Sequence, residues 1–254
     1  MNTLIKSLEY GQSYWLDNLT GTKSTSGNLE KEVYATFESF NEKQITKLLF
    51  AKNPNLWNKD AEQVKEISQR LGWLTLPDDF TKNVEMLNAF ALKVKEDGYT
   101  YAVLLGMGGS SLCSEVARET YGTTKGYLEL LVLDNTNPAA ILEVENKINI
   151  DKTLFIVASK SGSTEETLSF FHYFYNQLEK KKANKPGDNF VAITDAGTPL
   201  VKVAEQYKFR KVFVNPSDLG GRYSVLSDFG LVPMALIGID INAFLSNAKQ
   251  MESG

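Results

Sequence analysis

The stretch YTYAVLLGMGGSSLCSEVARETYG, residues 99–122, carries the reading of the fold. An unbroken apolar run over 99–105 meets glycines at 106, 108 and 109, and a segment of helical spacing follows at about 110–121. A strand without polar alternation is buried on both faces, as in a parallel sheet covered by helices. The same rhythm repeats downstream. Apolar runs YLELLVL (127–133), TLFIVAS (153–159), NFVAIT (189–194) and KVFV (211–214) alternate with amphipathic segments at about 137–147, 164–181 and 198–207, and another after Ser224. The pattern predicts an α/β fold, a doubly wound five-stranded parallel sheet, over residues 99–254.

Upstream, residues 28–98 read as a helical segment. A first helix is expected over 28–52, with Leu29, Val33, Phe37, Phe40 and Ile45 at helical spacing until Asn53-Pro54 breaks it. Asp60 is a candidate cap for a second helix that stops at Gly72, and Pro77 opens a third that Gly98 closes. The run TGTKSTSGN (20–28) is linker-like and sets residues 1–27 apart as a separate piece.

Of the 254 residues, 43% are hydrophobic and 23% charged, a composition that builds an ordinary globular core. A net charge of -4 argues against a nucleic-acid partner, which selects for a basic field. No stretch approaches the roughly 18–20 apolar residues of a membrane span, and the N-terminus lacks the pattern of a secretory signal. One cysteine, Cys113, leaves no internal disulfide or multi-cysteine zinc site, and a buried, inert thiol is expected of it. No acidic cluster has metal-ligand spacing. A cytoplasmic protein without metal or cofactor is the expectation.

In open α/β sheets ligands bind beyond the carboxyl ends of the strands, so the turns after the strands carry the chemistry. The first turn, GMGGSS (106–111), lets the backbone approach a ligand closely. It is not a dinucleotide fingerprint, because Ser111 stands where the third glycine belongs, and the strand-end Asp134 comes 28 positions after Gly106 rather than about 20. The second, SKSGSTEET (159–167), sets four hydroxyls, a glycine and a lysine before a long helix. The unpaired N–H groups and positive dipole end of that helix, joined by the hydroxyls, make a phosphate cradle. A helix cap alone needs one hydroxyl. The third, GGRYSVLS (220–227), places two glycines before Arg222, either a surface cation or a planar guanidinium aimed into the crevice to meet a developing oxyanion. The single histidine, His172, sits two turns into the helix after the hydroxyl loop among Phe170, Phe171, Phe174 and Tyr175, a packed or partly exposed helical position rather than a catalytic one.

Read together, GMGGSS, SKSGSTEET and GGRYSVLS resemble the glucose-6-phosphate isomerases over roughly residues 60–250. The resemblance implies a sugar-isomerase domain with strand order 2-1-3-4-5 and a metal-free aldose–ketose interconversion through a cis-enediol(ate). It further implies that Gly109 and Ser110 contact the sugar phosphate, and that Ser159, Lys160, Ser161, Gly162, Ser163, Thr164 and Thr167 form the phosphate loop. Arg222 would stabilise the enediolate, and the full-length protein would be a homodimer. In the family a Glu of a second domain moves the proton, and a His and a Lys further on open the ring. The sequence ends at Gly254 without counterparts of these three, so a truncated enzyme, inactive by itself, is expected. Two other readings stand beside this one: a non-catalytic sugar-phosphate-binding module, and an isomerase that also accepts mannose 6-phosphate. Residues 4–20, LIKSLEYGQSYWLDNLT, resemble the opening of a transaldolase with Asp17 at the position that supports Schiff-base chemistry. The remainder of such a barrel does not fit between residues 20 and 60, so an inactive remnant is expected, as in fusions of transaldolase to glucose-6-phosphate isomerase.

Overall fold

The computed structural model describes residues 30–181 and 185–253. The transaldolase-like stretch and the rest of residues 1–27 lie outside the described residues. The chain divides into two compact units, residues 1–64 and residues 65–254.

In the first unit the single helix expected over 28–52 is two, α1 (Glu30–Glu42) and α2 (Ile45–Phe50). Gln44 between them takes a left-handed conformation, φ 52° and ψ 38°, which no continuous helix accommodates. Helix α3 (Ala61–Ser68) spans the boundary between the two units and starts where Asp60 predicts: the Asp60 Oδ1 accepts the N–H groups of Glu62 and Gln63, both at 3.1 Å. It ends at Ser68, short of Gly72, which instead begins a 3₁₀ turn.

In the second unit the helix expected from Pro77 to Gly98 is also split, into α4 (Leu76–Thr81) and α5 (Val84–Glu96). Gly98, at φ 87°, follows α5 in the conformation a helix end asks of a glycine. Five strands follow: β1 (Tyr101–Gly106), β2 (Glu129–Leu133), β3 (Thr153–Ala158), β4 (Phe190–Asp195) and β5 (Lys211–Asn215). They pair in parallel in the order β2-β1-β3-β4-β5, with Leu105 opposite both Leu133 and Val157 in register. The helices that cover them are α6 (Leu112–Tyr121), α7 (Pro138–Lys147), α8 (Glu165–Lys180), α9 (Pro199–Gln206), α10 (Asp228–Leu236) and α11 (Ile241–Ser253).

Each strand feeds two cores because successive side chains point to opposite faces. Leu104, Ile156 and Ile193 pack with Phe90 of α5, Ala117 of α6 and the apolar residues of α10 and α11. Val103, Phe155 and Phe190 pack on the other face with Val144 of α7, Phe171 and Phe174 of α8 and Leu200 of α9. Phe155 stacks on Phe174 and Phe190 at centroid distances of 4.6 and 5.1 Å, filling the second face with aromatic area. All six residues of β3 and of β4 are buried, as unbroken apolar runs require. The order reverses beside β1, so the turns after β1 and β3 open at the switch point where such sheets bind ligands.

Candidate functional site

At the carboxyl end of the sheet a cavity of ≈ 510 Å³ is bounded by the turns after β1, β3, β4 and β5. Gly109 and Ser110 come from the first turn; Lys160, Ser161 and Thr164 come from the hydroxyl loop. Asp195 at the end of β4, Thr198 in the turn after it and Ser217 after β5 complete it.

The hydroxyl loop is held by its own groups. Ser159 is buried; its Oγ accepts the Gly162 N–H at 3.1 Å and lies 2.9 Å from Thr164 Oγ1. Thr164 stands at the N-cap of α8 without capping it, its hydroxyl being shared with Ser159. Ser161 Oγ accepts from Ser163 Oγ at 3.1 Å. Gly162 has φ 66°, and a Cβ there would lie 2.6 Å from Thr198 Cβ, so the loop needs glycine both for its turn and for its seat on the start of α9. The first N–H groups of α8 open beside the cavity with Thr164 in its wall, the arrangement that favours an anion.

The first and third turns touch. A Cβ on Gly109 would lie 2.5 Å from the Gly221 carbonyl oxygen, and Ser224 Oγ donates to the carbonyls of Gly221 at 2.8 Å and Gly109 at 3.3 Å. This contact seats GGRYSVLS against GMGGSS.

Of the residues expected from the sequence, Gly109, Ser110, Lys160, Ser161 and Thr164 line the cavity together. Ser159 lies beneath it as a brace. Gly162 and Ser163 belong to the loop but not to the cavity wall. Thr167 is fully buried on α8 with no partner for its hydroxyl. Arg222 is exposed and lines a neighbouring groove of ≈ 700 Å³, with Leu112, Cys113, Val116 and Phe244, that shares Gly109 and Gly221 with the cavity. Among the described residues Arg222 has no ion-pair partner. Cys113 is half-buried, and burial pushes its thiol up, so it is a poor nucleophile at neutral pH. His172 is exposed on α8, its ring 4.8 Å from that of Phe171.

Asp195 and Thr198 escaped the sequence reading. Asp195 Oδ2 accepts from Lys160 Nζ at 2.5 Å, while Thr194 and Thr198 share a hydrogen bond of 2.7 Å. Burial pushes the Asp195 carboxyl up and Lys160 opposes that shift. The available signal was position: Asp195 ends β4 and Thr198 follows it, at a strand's carboxyl end, where polar groups face the ligand crevice.

The family model for phosphoglucose isomerase matches residues 81–254. The chain belongs to this family. Glucose-6-phosphate isomerase of Prochlorococcus marinus (strain NATL2A) is 32% identical over 238 residues, covering 85% of this chain and 45% of that protein. The enzyme of the same name from Mycoplasmopsis synoviae (strain 53) is 34% identical over 231 residues, covering 87% of this chain and 50% of the relative. A crystal structure of a hypothetical protein from Thermus thermophilus superimposes with a TM-score of 0.70 at 28% identity, over 85% of this chain and 49% of the other. A glucose-6-phosphate isomerase from Chlamydia trachomatis shares the fold, with a TM-score of 0.61 at 22% identity over 81% of this chain and 38% of that one. This phosphoglucose isomerase family chain thus spans about half, or less, of the length of the curated relatives it matches. Among the described residues no helix is long and apolar enough to cross a membrane.

Proposed function

We propose that the cavity binds the phosphate of a hexose 6-phosphate, and that the chain supplies the phosphate-holding part of the interconversion of glucose 6-phosphate and fructose 6-phosphate. The observation that carries this reading is convergence: Gly109 and Ser110 of one turn and Lys160, Ser161 and Thr164 of another, 50 residues on, face one cavity beside the first turn of α8. Ser161 and Thr164 hydroxyls donate to the phosphate oxygens, the α8 amides add their dipole end, and Ser159 and Gly162 hold the loop in shape. Ser163 and Thr167 support the loop from its rim and from beneath. Arg222, in the adjoining groove next to the glycine that lines the cavity, is the permanent charge we assign to the developing enediolate.

Moving a proton between adjacent carbons needs a base within hydrogen-bond reach. Arg222 stays protonated and cannot serve. Glu165 and Glu166 start α8 and do not line the cavity, and His172 lies further along the same helix. Asp195 does line the cavity, but Lys160 holds its Oδ2. With that carboxylate engaged, the described residues bind substrate and stabilise charge without a free base, and turnover waits on further groups. In the full-length protein this domain acts within a homodimer.

Isothermal titration calorimetry on the full 254-residue chain tests the reading. Fructose 6-phosphate binds and fructose does not. Ser161→Ala with Thr164→Ala weakens binding at least tenfold, each lost charge-assisted hydrogen bond being worth about 1.5–3 kcal/mol. A coupled isomerase assay on the same chain shows no turnover. Equal affinity for fructose and its 6-phosphate overturns the phosphate assignment; turnover lost on Glu165→Gln or Glu166→Gln shows that the base lies here.

A further inference from the structure

Among the described residues, Asp195 is the one carboxylate in the wall of a cavity read as an anion site. It is 7% exposed, and its Oδ1 is buried with no hydrogen-bond partner. Its Oδ2 holds Lys160 Nζ at 2.5 Å, and that ammonium reaches the Ser217 carbonyl at 3.5 Å. The charged groups that face Asp195 are Lys160 from the turn after β3 and Asp218 from the turn after β5. Asp218 repels the Asp195 charge and Lys160 attracts it, so a single ammonium offsets the burial of this anion. Lys160 itself is a third exposed and lines the same cavity. A flexible four-carbon stem lets its ammonium turn between two acceptors without moving the backbone.

A dianion entering the cavity competes with Asp195 for that ammonium. If both stayed charged, one lysine would be left between a buried carboxylate and a phosphate, with Asp218 nearby. Repulsion between like charges at such range is large in a half-buried site. A carboxylate whose counter-ion is drawn away takes a proton instead, as buried carboxyls do. We infer that Asp195 is a positioning residue that holds the Lys160 ammonium over the cavity, hands it to the incoming phosphate, and takes up one proton from solvent in exchange. The ammonium keeps its three protons throughout, so binding transfers one proton from solvent to the Asp195 carboxylate and nothing else. The step rests on the phosphate reading of the cavity, and it makes binding itself a proton-coupled event.

Sulfate is the probe, because it is a dianion throughout the range in which a sugar phosphate titrates. Calorimetry at constant ionic strength between pH 6 and 8 reads its affinity for the wild-type chain. Proton uptake makes sulfate bind more tightly as pH falls, by at most about tenfold per pH unit for one proton. Asp195→Asn keeps the shape and removes the charge. It flattens the profile and raises the affinity at pH 8 by about tenfold, since a like charge beside the dianion is gone. Lys160→Gln also flattens the profile but lowers the affinity. Opposite signs at pH 8 separate charge exchange from damage to the loop, which weakens both variants alike, and far-UV circular dichroism confirms that each is folded. A wild-type profile with the same slope as that of Asp195→Asn overturns the inference while leaving the phosphate site standing. Failure of the wild-type chain to bind sulfate and fructose 6-phosphate overturns the phosphate reading and this inference with it.

Discussion

Asp228 offers the sharpest quantitative test of the packing around the Arg222 turn. It is the first residue of α10, directly after GGRYSVLS, and is 4% exposed. Its N–H donates to Asn215 Oδ1 at 3.1 Å, but its own Oδ1 has no partner. Burial pushes this carboxyl from 3.8 up to about 7, against the attraction of Lys211. Between those two values the folded protein binds a proton that the unfolded chain has lost, so stability falls as pH rises from about 4 to 7 and levels off above. At about 1.4 kcal/mol per pH unit the loss sums to about 4 kcal/mol by pH 8. Asp228→Asn abolishes the titration. The amide brings a constant offset of its own, because it too needs partners in a buried place. The readout is therefore the pH dependence of the difference: urea unfolding of variant and wild type, followed by tryptophan fluorescence from pH 4 to 8. The variant gains on the wild type by about 4 kcal/mol across that range. Two stability curves that run parallel would show that Asp228 is anionic and compensated in the folded state, and the reasoning from its burial would fail.

Gly109→Ala drives a methyl into the Gly221 carbonyl, 2.5 Å from where the Cβ would stand, and both atoms belong to backbone. Sulfate binding measured by calorimetry weakens by at least tenfold as the two turns are forced apart; unchanged affinity would dissociate that contact from the cavity. Phe171→Ala removes a fully buried ring that meets Phe190 edge-on at 5.2 Å, and costs about 3–5 kcal/mol in urea unfolding, an interior aromatic truncation. A cost below about 1 kcal/mol would mean that the aromatic face of the sheet collapses to fill the gap.

The alternation of apolar runs with amphipathic segments is sufficient by itself to place all five strands to within about two residues and to require a parallel sheet. Both signals are local: a strand buried on both faces must be apolar along its length, and a covering helix must carry one apolar stripe. The hydroxyl loop was legible for the same reason, since four hydroxyls beside one glycine exceed what a helix cap needs. What sequence left open depends on contacts between distant segments. Helical periodicity runs straight through residues 43–44 and 82–83, where the structure breaks the helices, because periodicity senses the face and not the backbone joint. Ser159 looks like its neighbouring hydroxyls in sequence, yet the turn folds it under the loop while Ser161 faces the cavity. The Lys160–Asp195 pair joins residues 35 apart and exists because β3 and β4 are neighbours in the sheet. Strand order, settled by the packing of the whole sheet, thus set which turns meet, and with them which charges share the cavity.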